Sequence, residues 1–319
     1  MAQMQYHNPA MTEQVVSLLA PLGRGLIVDA TLGGGGHTRA ILAAMPEATV
    51  IGLDRDQDAA AQAPDDPRFR FVKASFADLD LVLAEATGTE GPQLERPVEP
   101  GVGADVAGVL FDLGVSSHQL DAGGRGFSYR RPGPLDMRMG DDAPIDASTV
   151  VNEWDQRELA SIIRRYGEER FANRIAEAIV AARPLADTLE LAQAVAGAVP
   201  QAARRRGHPA RKTFQAIRIA VNDELHALEL GLDAALRWTR PGGRVVVISY
   251  HSLEDRIVKR RFAAGTSGCE CPPDLPVCVC GRVAELRSLA RKPLRPGEGE
   301  TARNPRVRSA RLRAVEKVA

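Results

Sequence analysis

Four consecutive glycines, Gly33–Gly36, stand between a short apolar stretch and a helical stretch that begins at His37. Glycine has no Cβ, so such a turn lets a ligand approach the backbone, and the helix start beyond it offers unpaired N–H groups. A second apolar stretch ends at Asp54, where a carboxylate can accept hydrogen bonds from both hydroxyls of a ribose. These residues together predict a site for an adenosine-containing cofactor, with a plain tight turn as the alternative.

The residues around the glycines favour one such cofactor. No lysine follows Gly36, as a P-loop requires, and four glycines in a row lack the G-x-G-x-x-G spacing of a dinucleotide site. Asp29, at the end of the first apolar stretch, could hold an amino-acid ammonium group directly or through the turn, whereas it would repel a pyrophosphate. We therefore expect S-adenosylmethionine, with NAD as the less favoured alternative.

These residues need a sheet to position them. Apolar stretches at residues 25–30, 49–54, 69–73 and 106–111 alternate with helical or loop segments in the first third of the chain. Short apolar strands separated by helices are typical of right-handed βαβ units. The pattern predicts an α/β fold with a doubly wound, Rossmann-like parallel sheet.

The middle of the chain predicts a second domain. Residues 121–208 contain helical spacing and loop-like composition but no strand pattern. We expect them to form an all-helical substrate-recognition domain inserted into the sheet domain. Residues 1–120 and 209–319 would then be the two parts of the sheet domain.

Three expectations concern the last third. Apolar residues recur every three or four positions from Thr213 to Leu236, which predicts one long helix lying on the sheet. Ser252 and Asp255 resemble a capping box at the start of a further helix. Residues 306–315 alternate well enough to predict a final edge strand.

The charge is balanced overall but unevenly distributed. The formal net charge is zero, yet residues 201–218 hold six Lys/Arg and no acid, and residues 282–313 hold ten Lys/Arg against three Glu. Two basic segments on a neutral protein favour a polyanionic partner that is contacted locally; solvated surface segments are the alternative. The polar start of the chain and the lack of a long apolar run predict a cytoplasmic protein without a membrane contact.

All four cysteines lie in one short segment, as Cys269-x-Cys271 and Cys278-x-Cys280. Four thiolates could enclose a tetrahedral zinc ion, although C-x-C spacing is less usual for zinc than C-x-x-C. A disulfide is a further alternative. We favour reduced free thiols and expect no metal.

Several segments carry a resemblance that extends over nearly the whole chain in order. The chain resembles the RsmH (MraW) family of bacterial ribosomal small-subunit RNA methyltransferases at residues 6–9, 28–38, 111–117, 125–129, 133–139, 213–222, 248–256 and 304–310. This resemblance implies a class I methyltransferase sheet with an inserted helical domain. It also implies methylation of the N4 amino group of a cytidine of 16S ribosomal RNA, at the ribosomal P site.

The resemblance further implies seven cofactor contacts. The glycine turn, the acid after the second strand, an aromatic residue against the adenine and two residues near the fourth strand match the family's cofactor site. These residues are Gly35, Gly36, His37, Asp54, Phe76, Asp112 and Gln119. Without the resemblance, Phe76 would be read as a core residue, and His37 could equally be a solvent-facing residue in the first turn of a helix.

The reaction itself needs little acid–base help, because a sulfonium methyl group is already activated and transfer depends mainly on alignment. The cytosine N4 lone pair is conjugated into the ring, so acceptors must hold its N–H groups. DNA amino-methyltransferases use a Pro-Pro-aromatic turn after the fourth strand; the segment after Asp112 lacks it. No catalytic residue can therefore be assigned.

For the nucleotide pocket we expect four polar residues in the resembling segments, namely Ser116, Asp136, Asn222 and His251. Asp136 could instead cap a turn, and Asn222 could face the inserted domain. The target base is expected to leave its stack. A DNA amino-methyltransferase, a ribosome-assembly factor without turnover and a nicotinamide oxidoreductase remain as alternative functions, and a homodimer remains open.

Overall fold

The computed structural model describes residues 9–88, 106–115, 123–268, 271, 277, 280 and 283–318. The chain divides into two units. The first comprises Met1–Gly114 and Leu225–Ala319, and the second comprises Val115–Glu224. Among the described helices, none has both the length and the apolar character that a bilayer crossing requires.

The first unit contains a seven-stranded sheet in the order β3-β2-β1-β4-β5-β7-β6. Strands β1 to β5 are parallel, whereas β7 pairs antiparallel with both β5 and β6. The strands are β1 (Arg24–Asp29), β2 (Glu47–Asp54), β3 (Phe69–Lys73), β4 (Val106–Asp112), β5 (Thr239–Ser249), β6 (Leu286–Ser288) and β7 (Arg311–Lys317).

Helices cover both faces of this sheet, because successive side chains of each buried strand point to opposite sides. Val28 packs in one core with residues such as Leu83 and Leu232, whereas its neighbour Ile27 packs in the other core with Val15. The helices of this unit are α1 (Thr12–Leu19), α2 (Gly36–Ala44), α3 (Leu79–Thr87), α9 (Glu224–Trp238), α10 (Ser252–Thr266) and α11 (Glu298–Arg303). The predicted doubly wound sheet is confirmed.

The second unit is helical around a core of its own. Its helices are α4 (Ala147–Asn152), α5 (Gln156–Arg165), α6 (Ala172–Ala181), α7 (Thr188–Ala198) and α8 (Arg211–Asn222). Three of them start at an aspartate whose carboxylate accepts a backbone N–H, namely Asp146, Asp155 and Asp187. The expected architecture, a doubly wound α/β sheet with an inserted helical unit, is confirmed.

The expected single helix from Thr213 to Leu236 is wrong. The chain forms α8 and α9, which are separated at Asp223, a residue with left-handed backbone (φ 47°). The apolar stripe serves two cores: Phe214 packs in the second unit, and Leu228 packs against the sheet of the first. The second unit, Val115–Glu224, extends beyond the expected 121–208 at both ends, and at its carboxyl end this is because α8 packs in its core.

Two local expectations near the end of the chain are only partly met: a strand does form, over Arg311–Lys317, but it begins later than residue 306 and is not at the sheet edge. Residues 305–309 form a 3-10 turn, and β7 lies inside the sheet because β6 pairs on its outer side. The capping box at α10 is made by His251 and Glu254, one residue earlier than expected. Asp255 instead accepts hydrogen bonds from two arginines of β7.

Candidate cofactor site

The glycine turn links the end of β1 to the start of α2. Gly35 is the N-cap of α2 and has left-handed backbone (φ 68°), and Gly33 also has a positive φ of 49°. A Cβ on Gly35 would lie 2.6 Å from the carbonyl oxygen of Gln62, and one on Gly36 would lie 2.7 Å from Pro9. Only glycine therefore satisfies both the backbone angle and the close packing at position 35.

Asp54, at the end of β2, is tied to this turn. Its Oδ2 accepts the N–H of Gly33 (2.8 Å), and its Oδ1 accepts the N–H of Asp56 (2.9 Å). Each carboxylate oxygen keeps acceptor capacity after one such bond, as binding of two hydroxyls requires. Burial raises the pKa of Asp54 from 3.8 to about 6.

His37 and Asp112, both expected to contact the cofactor, lie against each other. His37 Nε2 is 3.2 Å from Asp112 Oδ2, although 75 positions separate the two residues. Burial by itself lowers the pKa of His37, but the hydrogen bond and negative charge of Asp112 outweigh it and raise the pKa. His37 is 4% exposed, so the solvent-facing alternative is excluded.

The other ring nitrogen of His37 is a buried polar atom that lacks a hydrogen-bond partner among the described residues. Buried polar atoms are normally paired, so an unpaired Nδ1 in the turn is consistent with a ligand or water there.

Asp112 is fixed further by its own N–H, which donates to Thr31 Oγ1 over 2.6 Å. The backbone of the turn and the end of β4 are thereby joined.

Phe76 begins a short 3-10 turn after β3 and is only partly buried. Its ring meets Phe111 edge to face, with the ring centroids 5.8 Å apart. Gly231 of α9 lies so close that a Cβ there would be 2.9 Å from the Phe76 carbonyl oxygen. Phe76 thus lies at the edge of the core and is only partly covered.

Asp29 is fully buried, which favours the second of its two expected modes, action through the turn, over direct contact with a ligand. Its carboxylate accepts from Thr38 Oγ1 (2.7 Å) and from the N–H of Thr31 (3.3 Å). Burial raises its pKa. Asp29 therefore acts through the turn, by fixing the residues on either side of the glycines.

Two residues expected in the nucleotide pocket lie in the second unit and have structural partners. Asp136 accepts the backbone N–H and the guanidinium of Arg138, so it holds a turn. Although burial raises the pKa of Asp136, Arg138 lowers it by more. Asn222 is buried; its Nδ2 donates to Met137 and Arg218, and its Oδ1 accepts from Met139.

His251 is the N-cap of α10, where its Nδ1 accepts the Glu254 N–H at 3.4 Å. Ser116 and Gln119 lie outside the described residues. Cys269 and Cys278 also lie outside the described residues, so the expectation that all four thiols are free and reduced stays a prediction. The roles of Ser116, Asp136, Asn222 and His251 in a nucleotide pocket stay predictions.

Sequence reasoning missed Tyr250. Its hydroxyl donates to Asp112 Oδ1 over 2.8 Å, and burial raises the pKa of the phenol well above its ordinary value. The available signal was its position one residue after β5, the strand that pairs with β4, because carboxyl ends of parallel strands meet at one edge. Thr31 and Thr38 were also missed, although both flank the glycines.

Comparison with known proteins gives matches over nearly the whole chain. The sequence profile of the MraW methylase family matches residues 4–318. The "Ribosomal RNA small subunit methyltransferase H" of Symbiobacterium thermophilum is 49% identical over 98% of this chain and 97% of its own length. The protein of the same name from Geobacter sulfurreducens is 50% identical over 98% and 99%.

Among solved structures, an rRNA methylase from Streptococcus thermophilus covers 97% of this chain and 94% of its own, at 10% identity and a TM-score of 0.39. That likeness is too low to support an inference about function.

Proposed function

The chain belongs to the MraW methylase family, and from this premise we propose that it methylates the N4 amino group of a specific cytidine in the P-site region of 16S ribosomal RNA. It is an S-adenosylmethionine-dependent methyltransferase of small-subunit ribosomal RNA. The observation that carries the proposal is the full-length match combined with acids at the ends of β1, β2 and β4 around one glycine turn.

The residues at this turn fit S-adenosylmethionine. The unpaired buried Nδ1 of His37 marks an incomplete set of polar contacts among the described residues. The Asp54 carboxylate is a suitable acceptor for two ribose hydroxyls, and the aromatic ring of Phe76, a partly buried residue, suits packing against an adenine ring. A site with several carboxylates also favours a cofactor that carries a positive sulfonium.

We assign the following roles to the residues of the cofactor site. Asp54 would hold the ribose, Phe76 the adenine, and Gly35, Gly36 and His37 the part of the cofactor next to the turn. Asp112 would contact the cofactor with its orientation fixed by His37 and Tyr250. Gln119, beyond the described residues, completes the proposed set.

The cofactor supplies a methyl group on a positively charged sulfur, which an amine can displace without prior activation of the methyl. The protein must then align the N4 amine and exclude water, which is where binding energy lowers the barrier. Polar acceptors from the predicted nucleotide pocket would hold the N–H groups of the amine. A flipped base would bring the amine within reach of the methyl.

We further propose that the acceptor is the RNA within the small ribosomal subunit, and that the enzyme acts in the cytoplasm, where subunits are assembled. The basic segments support an RNA partner of this kind, because arginine–phosphate contacts dominate the affinity of such complexes.

The test offers radiolabelled S-adenosylmethionine with purified small subunits, naked 16S ribosomal RNA or double-stranded DNA. We expect label in the subunits, and N4-methylcytidine in the nucleosides released from them. Label in DNA alone, or in none of the three, contradicts the proposal. Cofactor binding by calorimetry without transfer to any acceptor would favour an assembly factor without turnover.

A further inference from the structure

The connection between β6 and β7, residues 289–310, is here called the basic connection. Its place follows from strand register: β7 begins at Arg311, which pairs with Ser249 at the carboxyl end of β5. Strand β6 is antiparallel to β7, so it also runs towards that edge before the connection begins. The basic connection therefore lies at the sheet edge where β1, β2 and β4 end, the edge of the glycine turn.

The basic connection has an excess of positive charge. It contains six Lys/Arg and two Glu. All six basic side chains are exposed. Five have no side-chain partner among the described residues, namely Arg291, Lys292, Arg295, Arg303 and Arg308. The arginines of the following strand, β7, behave differently: Arg311 and Arg313 both pair with Asp255.

Several contacts fix this segment. Leu294 and Leu312 exchange two backbone hydrogen bonds of 2.9 and 3.0 Å, and Val307 and Ala310 are buried. Glu300 is held by a further contact, because its Oε1 accepts the backbone N–H of Met11 over 2.6 Å, and the two glutamates leave the segment with a formal charge of +4.

The Glu300 bond also connects the segment to the cofactor turn. Met11 is the N-cap of α1, and it follows Pro9, which packs against Gly36. The segment is thus a fixed surface, and its five basic side chains without a partner in the described part of the chain lie at the edge that carries the candidate cofactor site.

We propose that the basic connection binds the phosphate groups of ribosomal RNA next to the methyl-transfer site. This inference rests on the proposed function, since it names the surface that holds the same acceptor. A fixed array of exposed arginines suits a phosphate backbone, because guanidinium groups bind phosphate oxygens in pairs. An anionic membrane surface is the disfavoured partner, because within this segment Leu294 is the one large apolar side chain that is exposed.

The test neutralises two of the unpaired arginines in the full-length protein, as Arg303→Gln/Arg308→Gln. The control is Arg24→Gln/Arg70→Gln, which removes two exposed charges near the amino ends of β1 and β3; of these, Arg70 also pairs with Glu85 over 3.2 Å. Binding to purified small subunits is measured at several KCl concentrations. Cofactor affinity is measured by calorimetry, and KM and kcat are measured by label transfer.

We expect the slope of log K against log [KCl] to become shallower by about 1.5 in Arg303→Gln/Arg308→Gln, the loss of two phosphate contacts. KM for subunits should rise, with kcat at saturation and S-adenosylmethionine affinity unchanged. The control should match the wild type. Equal slopes and equal KM in both variants overturn the inference, as does loss of binding to phosphatidylglycerol vesicles with subunit binding intact.

These outcomes are separate from those of the proposed function. If the wild type labels subunits and the two variants behave alike, the inference alone fails. If the wild type labels no subunit, the proposed function fails and the inference with it.

Discussion

The phenol of Tyr250 donates a hydrogen bond to Asp112 over 2.8 Å, and His37 lies 3.2 Å from the other oxygen of the same carboxylate. The end of β4 is thus held between a residue after β5 and a residue in the first turn of α2. This arrangement orients a carboxylate that would otherwise rotate freely at a strand end.

Replacing Tyr250 by phenylalanine should weaken S-adenosylmethionine binding about fivefold. The ring and its packing remain, whereas Asp112 loses one hydrogen bond, which typically contributes about 1 kcal/mol. Calorimetry measures the affinity, and the melting temperature reports the fold. Tyr166→Phe, in the second unit, is the control and should leave affinity unchanged. Unchanged affinity in Tyr250→Phe would show that the phenol does not position Asp112 for the cofactor.

Removal of the Asp54 side chain should abolish cofactor binding without unfolding the protein. In Asp54→Ala the two ribose hydroxyls lose their acceptor, while the Gly33 N–H loses its partner over 2.8 Å. We expect no measurable heat of binding and circular dichroism like that of the wild type. An Asp54→Ala protein that binds S-adenosylmethionine with wild-type affinity would refute the assigned role.

Cofactor affinity should depend on pH through Asp54, whose pKa burial raises to about 6. Only the ionised carboxylate accepts from both hydroxyls, so affinity should rise with pH and level off above about pH 7. At about pH 5, one unit below the pKa, affinity should be about tenfold lower. Asp54→Asn should bind S-adenosylmethionine weakly, and its affinity should change less with pH. The difference in pH dependence between the wild type and Asp54→Asn distinguishes titration of Asp54 from titration of His37.

The raised pKa of Asp54 also makes the free energy of unfolding depend on pH. The folded protein holds this proton more tightly than the unfolded chain, whose pKa is near 3.8. The contribution of Asp54 to the free energy of unfolding is therefore complete below about pH 3.8 and is lost as pH rises through about 6. Chemical denaturation at about pH 4.5 and 7 measures it. Asp54→Asn should show a smaller fall between those values; an equal fall would contradict the assignment.

Gly35→Ala should lower both stability and cofactor affinity more than Gly88→Ala. The two glycines have similar left-handed backbones, with φ of 68° and 65°, so an alanine in that conformation costs about 1 kcal/mol at either position. A Cβ at 35 also meets the Gln62 oxygen at 2.6 Å, whereas nothing lies within 4 Å at 88. Thermal unfolding and calorimetry compare them. Equal melting temperatures would show that the turn relaxes easily.

Asn222→Ala should destabilise the protein by about 2–3 kcal/mol, because it leaves the buried carbonyl of Met137 and the N–H of Met139 without this partner. S-adenosylmethionine affinity should not change. The measurements are thermal unfolding and calorimetry, with label transfer alongside. A loss of kcat without a loss of stability would instead support the predicted place of Asn222 in the nucleotide pocket.

Local sequence was sufficient for the cofactor turn. Consecutive glycines after an apolar strand, and an acid at the end of the next strand, are short-range features whose geometry follows from backbone sterics and from parallel pairing. The doubly wound sheet follows in the same way from the alternation of apolar strands with helices. The resemblance of whole segments added the reaction and the target, which composition and spacing do not contain.

The tertiary structure decided which polar groups are already engaged. Tyr250 and Asp112 are 138 positions apart, and nothing in the local sequence around either residue predicts the hydrogen bond between them. Asn222 was expected near a substrate, yet its amide binds backbone at residues 137–139. A hydrogen bond between distant residues depends on packing that no local pattern encodes.

Apolar periodicity in the sequence also cannot show which core a helix packs against, as the boundary between α8 and α9 at Asp223 illustrates. The stripe from Thr213 to Leu236 correctly marks an apolar face, but it cannot say that α8 packs in one core and α9 in another. Likewise, the alternation near Leu312 predicts a strand but not that β6 covers its outer side. Sequence determined which faces are apolar and which turns are tight; the partner of each face was fixed only when the whole chain packed, because burial depends on surfaces far apart in sequence.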